Sequence, residues 1–343
     1  MSVKIGPCRG LFFILDEGSS IMIQINNLTK SFGKNIIVND INLTIADGKV
    51  LGIVGASGAG KSSLIRMING LMSPTSGTVL IDNILINELP EAELRKIRKD
   101  IGMIFQNFNL LDQKDVYNNV KLSLDVAGKD KKYSDQRIKE LLDLVGLTPK
   151  IHAYPKTLSG GEKQRVAIAR AIANNPKYLL CDEVTSALDR KTSYEILDLL
   201  QRINELYNIT IVFVSHDLEA IKYICSEVIV MEEGTIIEKN NTLDLFMQPN
   251  TKLAKQLINK KMFNLSSESS EDIYQITYLD KQSNNPVISK ASRIYDVEIN
   301  IIYGEVIEIN KQNIGFLYVG INGPDKEKAI DFLKSEVEVN LYV

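Results

Sequence analysis

The chain has 343 residues, of which 44% are hydrophobic, and a formal net charge of −3 at pH 7. This composition predicts a soluble globular protein of two or three domains, and the charge gives it no general attraction to nucleic acid or anionic membranes. Its apolar runs are shorter than the ~20 residues needed to cross a bilayer. Cys8, Cys181 and Cys225 fit neither a zinc site nor a disulfide framework, which favours a reducing compartment.

The chain begins with a segment, residues 1–21, that has a short apolar run and no small-residue cleavage site. Met22 then opens a stretch that is typical of a strand. We therefore expect residues 1–21 to be an N-terminal extension that arises from a mis-called start. The alternatives are a short disordered tail and a membrane-surface tether.

From residue 22 to about residue 250, β-branched strand-like runs alternate with helical patterns. This alternation predicts an α/β domain with a parallel central sheet. Residues 251–271 include the Ser/Glu-rich stretch "NLSSESSED" and are interpreted as a linker. Residues 272–343 follow the order βαββαβ, which predicts a small ferredoxin-like α+β domain.

The strongest motif is "GASGAGKS", Gly55 to Ser62, which matches the P-loop pattern between an apolar strand and a helix. Its glycines let backbone N–H groups surround phosphates, Lys61 reaches the β- and γ-phosphates, and the Ser62 hydroxyl binds Mg²⁺. The alternative is a glycine-rich turn without a ligand. The predicted nucleotide-binding residues of this segment are Gly55, Ser57, Gly58, Ala59, Gly60, Lys61, Ser62 and Ser63.

The stretch "YLLCDE" places Asp182 at the end of a buried strand, where its carboxylate can hold the Mg²⁺ shell. Glu183 follows, and a carboxylate one residue past the metal ligand can polarise a water in line with the γ-phosphate. The alternative is a strand that merely ends in solvated acids. Together with the P-loop, the pair predicts ATP hydrolysis with Asp182 on Mg²⁺ and Glu183 as the base.

The segment "LSGGEKQRVAIARA", Leu158 to Ala171, contains a second glycine turn that opens a helix, and it resembles the signature motif of the ATP-binding cassette family. The resemblance spans about residues 22–250 and implies a P-loop cassette with a helical subdomain. It also implies that Gln106 links Mg²⁺ to a transport partner and that His216 contacts the γ-phosphate. Phe32 would stack on adenine and Asp189 would meet a second cassette.

In that family two cassettes pack head to tail, so that Ser159, Gly160 and Gly161 would contact the ATP held by the partner's P-loop. A chain with one P-loop and one signature must then pair with a second chain, most simply a copy of itself. Glu162, Val184 and Ser63 depart from the commoner Gln, Ala and Thr at their positions. None of the three changes removes a phosphate ligand or the base.

The C-terminal segment, with "NIGFLYVGINGPDKEKAIDFLK", resembles the regulatory domain of bacterial methionine importers. The resemblance implies an ATPase subunit at the cytoplasmic face of the cell membrane, a membrane permease, an extracytoplasmic binding protein and feedback by methionine. A plain dimerisation module is the alternative for this segment. For the whole chain, the alternatives are another amino-acid or small-solute importer and a soluble cassette protein of translation or DNA repair.

Overall fold

The architecture comes from a computed structural model that describes residues 21–258, 272–279, 286–309 and 312–342. The predicted N-terminal extension, apart from the backbone of residue 21, and residues 259–271 of the predicted linker lie outside the described residues. Within them the chain forms three sheets.

The strands alternate with helices along most of the chain. They are β1 (Ile21–Phe32), β2 (Asn35–Ala46), β3 (Val50–Gly55), β4 (Ser76–Ile81), β5 (Ile84–Leu85), β6 (Ile101–Ile104), β7 (Tyr178–Asp182), β8 (Thr210–Val214), β9 (Glu227–Glu232), β10 (Thr235–Asn241), β11 (Ile273–Leu279), β12 (Glu298–Ile309), β13 (Gln312–Asn322) and β14 (Glu338–Leu341).

The helices follow the alternation that the sequence predicts. They are α1 (Lys61–Ile68), α2 (Glu91–Ile97), α3 (Val116–Val126), α4 (Lys131–Leu144), α5 (Gly160–Ala171), α6 (Arg190–Tyr207), α7 (Leu218–Ile224), α8 (Thr242–Met247), α9 (Lys252–Ile258), α10 (Val287–Ile294) and α11 (Lys326–Glu336).

The central sheet has the order β10-β9-β3-β8-β7-β6, and all of its neighbouring pairs except β10 with β9 are parallel. Every residue of β3, β7 and β8 is buried, which explains their continuous apolar runs. Because parallel strands end at the same edge of a sheet, the segments that follow β3, β7 and β8 meet there.

Helices pack on both faces of this sheet. A second, antiparallel sheet of order β2-β1-β4-β5 shares one apolar core with α1 and one face of the central sheet. On the other face, α3, α4 and α5 contact one another and form the helical subdomain, which continues the main core. This arrangement confirms the α/β cassette that the sequence predicts.

The C-terminal domain has the sheet order β12-β13-β11-β14, with every neighbouring pair antiparallel. Numbered within the domain, the strands lie in the order 2-3-1-4 around α10 and α11, so the predicted ferredoxin-like fold is confirmed. Successive side chains along each strand point to opposite faces of this sheet, and each face packs against a different hydrophobic core. One face packs on α10 and α11, and the other places Ile273, Phe316 and Tyr318 in the main core of the cassette.

Helix α9 begins within the segment 251–271 whose composition suggests a linker. The Glu238 carboxylate accepts hydrogen bonds from the Thr251 backbone N–H (2.9 Å) and hydroxyl (2.8 Å), and Ala254 is fully buried. Residues 252–258 are therefore packed structure. The Ser/Glu-rich stretch itself begins only after this helix.

Candidate nucleotide site at the carboxyl edge of the central sheet

The P-loop turns directly out of β3 into α1. Gly55, Gly58 and Gly60 have φ angles of 151°, 83° and 93°, in the region that side chains disfavour. At Gly55 and Gly60 a Cβ would also lie 2.2 Å and 2.5 Å from the carbonyl oxygens of Met231 and Ile37. Glycine is thus required by backbone conformation and by close approach, and the loop keeps the shape that lets backbone N–H groups face an anion.

Lys61 is the first residue of α1 and is only 6% exposed. Its ammonium donates hydrogen bonds of 2.8 Å to the carbonyl oxygens of Gly55 and Ala56. Burial lowers the pKa of Lys61, and the nearby Glu183 and Asp182 carboxylates oppose that shift. The cation therefore lies at the loop, in the field of the two acids that the sequence predicts for the same site.

Ser62 and Asp182 lie together, although 120 positions separate them. The Ser62 hydroxyl donates a 2.8 Å hydrogen bond to Asp182 Oδ1 at the buried end of β7. Hydroxyl and carboxylate oxygens are ligands that Mg²⁺ prefers, and Mg²⁺ commonly takes one or two protein oxygens beside substrate phosphates. In the described ranges no group of three or more His, Cys, Asp or Glu forms a metal cage. The pair fits a Mg²⁺ that is completed by a nucleotide.

Glu183 contacts residues from two other segments, the loop of Gln106 and the end of β8 with the residues that follow it. Gln106 Nε2 donates a 3.0 Å hydrogen bond to Glu183 Oε2, and His216 Nδ1 lies 3.5 Å from Glu183 Oε1. Glu183 has a φ of 51°, uncommon for a non-glycine residue, and its N–H is held by the Val214 carbonyl at 3.0 Å. The backbone thus turns this carboxylate toward Gln106 and His216, the two residues that the family resemblance associates with Mg²⁺ and the γ-phosphate.

Arg170, which lies within the signature stretch but has no predicted role of its own, holds the loop that carries Gln106. The Arg170 guanidinium donates hydrogen bonds to the carbonyls of Asn109 (2.6 Å) and Phe108 (2.8 Å), both of which have positive φ. Because Arg170 lies on α5, the loop of Gln106 and the helix of the signature are held as one unit. The only sequence signal for this role is that Arg170 ends the apolar-periodic run of α5, in the last turn of the helix.

The signature turn caps α5. The Ser159 side chain accepts from the Glu162 N–H at 3.3 Å, and the Glu162 carboxylate accepts from the Ser159 N–H at 2.9 Å. Ser159 and Gly160 are exposed. This reciprocal capping box leaves the Ser159 hydroxyl proton and the first α5 amides at the surface, where they can meet an anion.

Gly161 lies against α6. A Cβ at Gly161 would lie 2.4 Å from Thr192 Cγ2, and one at Gly160 would lie 3.3 Å from Leu188 Cδ2. Asp189 caps α6 by accepting from the Thr192 N–H at 3.0 Å, and hydrogen bonds from Thr192 lower its pKa. The signature and Asp189 are therefore neighbours, whereas Ile37, Met231 and Asp182 surround the P-loop.

Phe32 ends β1 and is 56% exposed, with the Lys30 ammonium 4.9 Å from its ring centroid. An exposed aromatic face beside the β1–β2 hairpin, whose Ile37 touches the P-loop, agrees with stacking on a base.

The remaining predicted residues lie close to the P-loop. Ser57 and Ala59 lie within the P-loop, and Ser63 follows Ser62 on α1. Val184, the bulkier departure beside the base, is 2% exposed and belongs to the main core.

Comparisons with known proteins match two families to successive parts of the chain. The family description "ABC transporter" matches residues 38–186, and "NIL domain" matches residues 272–340. "Methionine import ATP-binding protein MetN 2" of Bacillus cereus (strain ATCC 10987) is 41% identical over 331 residues, covering 93% of this chain and 98% of the relative. MetN of Helicobacter pylori (strain J99) is 41% identical over 318 residues, with 92% and 97% covered.

Two solved structures are similar over the cassette. A dimeric ATP-binding cassette in a post-hydrolysis state bound to ADP and Pi is 38% identical, with a TM-score of 0.60 over 64% of this chain and 99% of that one. The cbiO1 protein of Clostridium perfringens, part of the complex cbiONQ, is 29% identical, with a TM-score of 0.62 over 72% and 98%.

Proposed function

The chain belongs to the family of the methionine import ATP-binding proteins, and we propose that it is the ATP-hydrolysing subunit of an importer for D/L-methionine. One observation carries the proposal. A cassette with a P-loop and a carboxylate base is followed, in one chain, by a NIL domain, and relatives of the same name align over more than nine-tenths of that chain.

For hydrolysis, the proposed roles follow the geometry around Glu183. Glu183 takes a proton from a water that attacks the γ-phosphorus of ATP, and the bond to the β–γ bridging oxygen breaks to give ADP and phosphate. Lys61 and the P-loop amides orient the phosphates, and His216 and Gln106 fix the Glu183 carboxylate on both of its oxygens. Mg²⁺, held by Ser62, Asp182 and Gln106, would supply charge neutralisation when bound.

We also propose that two copies of the chain pair head to tail. In this arrangement Ser159, Gly160, Gly161 and Asp189 of one copy face the nucleotide on the P-loop of the other. The separate surroundings of the two glycine turns and the exposure of Ser159 and Gly160 support the arrangement. ATP then lies between the copies, so its binding favours closure and its hydrolysis releases the pair.

An open groove of about 740 Å³ is the proposed docking site of a membrane permease. It lies between α2, the strand β6 and the helical subdomain, and Val126 at its edge is 73% exposed. Phe105, Asn109 and Arg170 line it, so a permease segment seated there would touch the loop that carries Gln106. In the described residues no helix is long and apolar enough to span a bilayer. Peripheral attachment to the cytoplasmic face and an extracytoplasmic binding protein complete the proposed system.

The C-terminal domain contains a cavity of about 860 Å³ that we propose as the regulatory methionine site. Its walls include apolar residues such as Val287 and Leu317, together with the exposed, positively charged Arg293. An amino acid with an apolar side chain matches that lining, because its carboxylate can pair with the Arg293 guanidinium while its side chain lies against the apolar wall. A plain dimerisation module remains the second candidate for this domain.

The test is isothermal calorimetry of the full chain with L-methionine and D-methionine, with leucine and glutamine as controls. Selective methionine binding, together with ATP hydrolysis, is the expected result. Selective binding of another amino acid would favour another importer, and no binding would favour the dimerisation module.

A further inference from the structure

Glu162 places a carboxylate inside the signature turn, beside groups that the proposed function assigns to a nucleotide. Its Oε2 accepts from the Ser159 N–H at 2.9 Å, and its own N–H donates to the Ser159 side chain at 3.3 Å. Any role of this carboxylate in pairing rests on the proposed function, in which Ser159 to Gly161 face the polyphosphate on a second copy.

A carboxylate at this position creates an electrostatic conflict. Negative charge near a helix N-terminus stabilises the isolated helix, but here the same N-terminus is to receive the γ-phosphate. Juxtaposed like charges are costly, and the cost grows when a closing interface removes water from between them. The signature of this chain therefore needs a cation that a turn with neutral glutamine would not need.

Lys150 supplies that cation from a different part of the helical subdomain. It ends the 3-10 turn Thr148–Lys150, and its ammonium lies 2.5 Å from Glu162 Oε1. The Lys150 side chain is 44% exposed and that of Glu162 is 25% exposed, so the pair lies at the surface next to the exposed Ser159, which the proposed second copy would contact. Hydrogen bonds from Lys150 and the Ser159 backbone lower the pKa of Glu162, so the carboxylate is ionised at neutral pH.

We propose that Lys150 is a positioning residue of the signature, which neutralises Glu162 and holds its carboxylate in the cap, directed away from the incoming phosphate. Ser159 then accepts from the Glu162 N–H, and its own hydroxyl proton stays available to a phosphate oxygen. The residue touches neither the nucleotide nor the water. It acts on ATP-driven pairing through Glu162.

The proposal predicts an asymmetric set of variants. Lys150→Gln leaves Glu162 uncompensated and weakens ATP-dependent pairing about tenfold at each of the two sites, or about a hundredfold in the dimer dissociation constant. Glu162→Gln keeps the capping box, since glutamine also caps, and behaves like the natural chain. The double variant Lys150→Gln/Glu162→Gln recovers pairing, and Lys150→Arg retains it.

The experiment measures ATP-dependent dimers by analytical ultracentrifugation in a Glu183→Gln background and turnover in chains with natural Glu183. ATP affinity of the monomer, measured by fluorescent-nucleotide titration, should be unchanged in every Lys150 and Glu162 variant. Lys121→Gln is the matched control, because it removes an ammonium 3.3 Å from Asp125 within the same subdomain. Comparable melting temperatures for the Lys150 and Lys121 variants exclude a folding defect.

Recovery in the double variant is the result that supports charge compensation. Normal pairing by Lys150→Gln, a double variant as weak as Lys150→Gln, or an equal loss in Lys150→Arg would each overturn it. A chain with natural Lys150 and Glu162 that binds ATP but never pairs would overturn the proposed head-to-tail arrangement and this inference with it.

Discussion

The cassette contains two glycine turns that open helices, and they differ in almost every physical respect. In the P-loop, three glycines take positive φ and a buried lysine closes the turn against its own carbonyls. In the signature, glycine is required at position 161 because Thr192 lies too close to leave room for a Cβ, and a capping box orients the exposed Ser159. The first turn thus has both the backbone shape and the cation of the proposed phosphate site, whereas the second has exposed donors that the proposed arrangement directs to the nucleotide of a second copy.

The largest effect that separates the two turns is expected at Glu183. Glu183→Gln removes the proposed base but keeps a side chain that can hydrogen-bond to Gln106 and His216, so turnover should fall by roughly 10²- to 10⁴-fold. Binding of ATP at the P-loop and pairing through the signature should persist. The measurement is steady-state phosphate release beside equilibrium ATP binding. Turnover at the natural rate would remove Glu183 as the base.

Substituting a glycine in the P-loop should weaken ATP binding, whereas substituting one in the signature should weaken pairing. Gly58→Ala strains a φ of 83° in open space and should weaken ATP binding to the isolated chain about 30-fold. Gly161→Ala instead pushes α5 from α6 and should leave that affinity within about twofold while pairing is lost. Affinity is measured by fluorescent-nucleotide titration and pairing by sedimentation.

Two further variants control this contrast. Gly128→Ala has a similar positive φ of 75° in open space but lies between α3 and α4, so it should affect neither assay. Thr192→Ser removes the methyl group that a Cβ at Gly161 would meet, and added to Gly161→Ala it should restore pairing. A Gly161→Ala chain that pairs normally would contradict the assigned role.

A smaller effect is expected in the C-terminal domain, which is built apart from both turns. Arg293→Ala should weaken methionine binding to the full chain about tenfold, because a charged hydrogen bond in a mostly apolar cavity is lost. Basal ATP turnover should not change, and Lys328→Gln, which breaks an exposed pair with Asp325, serves as the control. If calorimetry finds the same methionine affinity in both variants, methionine does not bind in this cavity.

The smallest effect concerns pH. Because the pKa of Glu162 is lowered in the folded chain, its ion pair stabilises the fold above the ordinary carboxyl range, and this contribution is lost as pH falls through the lowered pKa. The melting temperatures of the natural chain and Glu162→Gln should thus differ by a constant ~2 °C or less from pH 6 to 8, and converge in acid. A difference that changes between pH 6 and 8 would assign the titration to another group.

The sequence predicts those features that depend on neighbours along the chain. The P-loop, the Asp182–Glu183 strand end and the order of the last six elements are local patterns, and the ferredoxin-like sheet order follows from that order of elements. Contacts between residues that are distant in the sequence could not be predicted in this way. Arg170 under the loop of Gln106 and Lys150 on Glu162 depend on how helices and turns pack, which no local pattern encodes. The composition of residues 251–271 does not predict helix α9, because the start of this helix is held by the buried Glu238 carboxylate, 13 positions before Thr251.

The most direct test of the shared nucleotide site mixes two broken chains. Lys61→Ala loses the P-loop cation and Gly161→Ala loses the signature, so neither should pair with ATP alone in a Glu183→Gln background. Mixed together, they form one intact site from the P-loop of the Gly161→Ala chain and the signature of the Lys61→Ala chain. The expected result is heterodimers that retain about one ATP per pair. Mixtures that stay monomeric, while the parent Glu183→Gln chain pairs, would contradict the claim that each nucleotide site is shared between two copies.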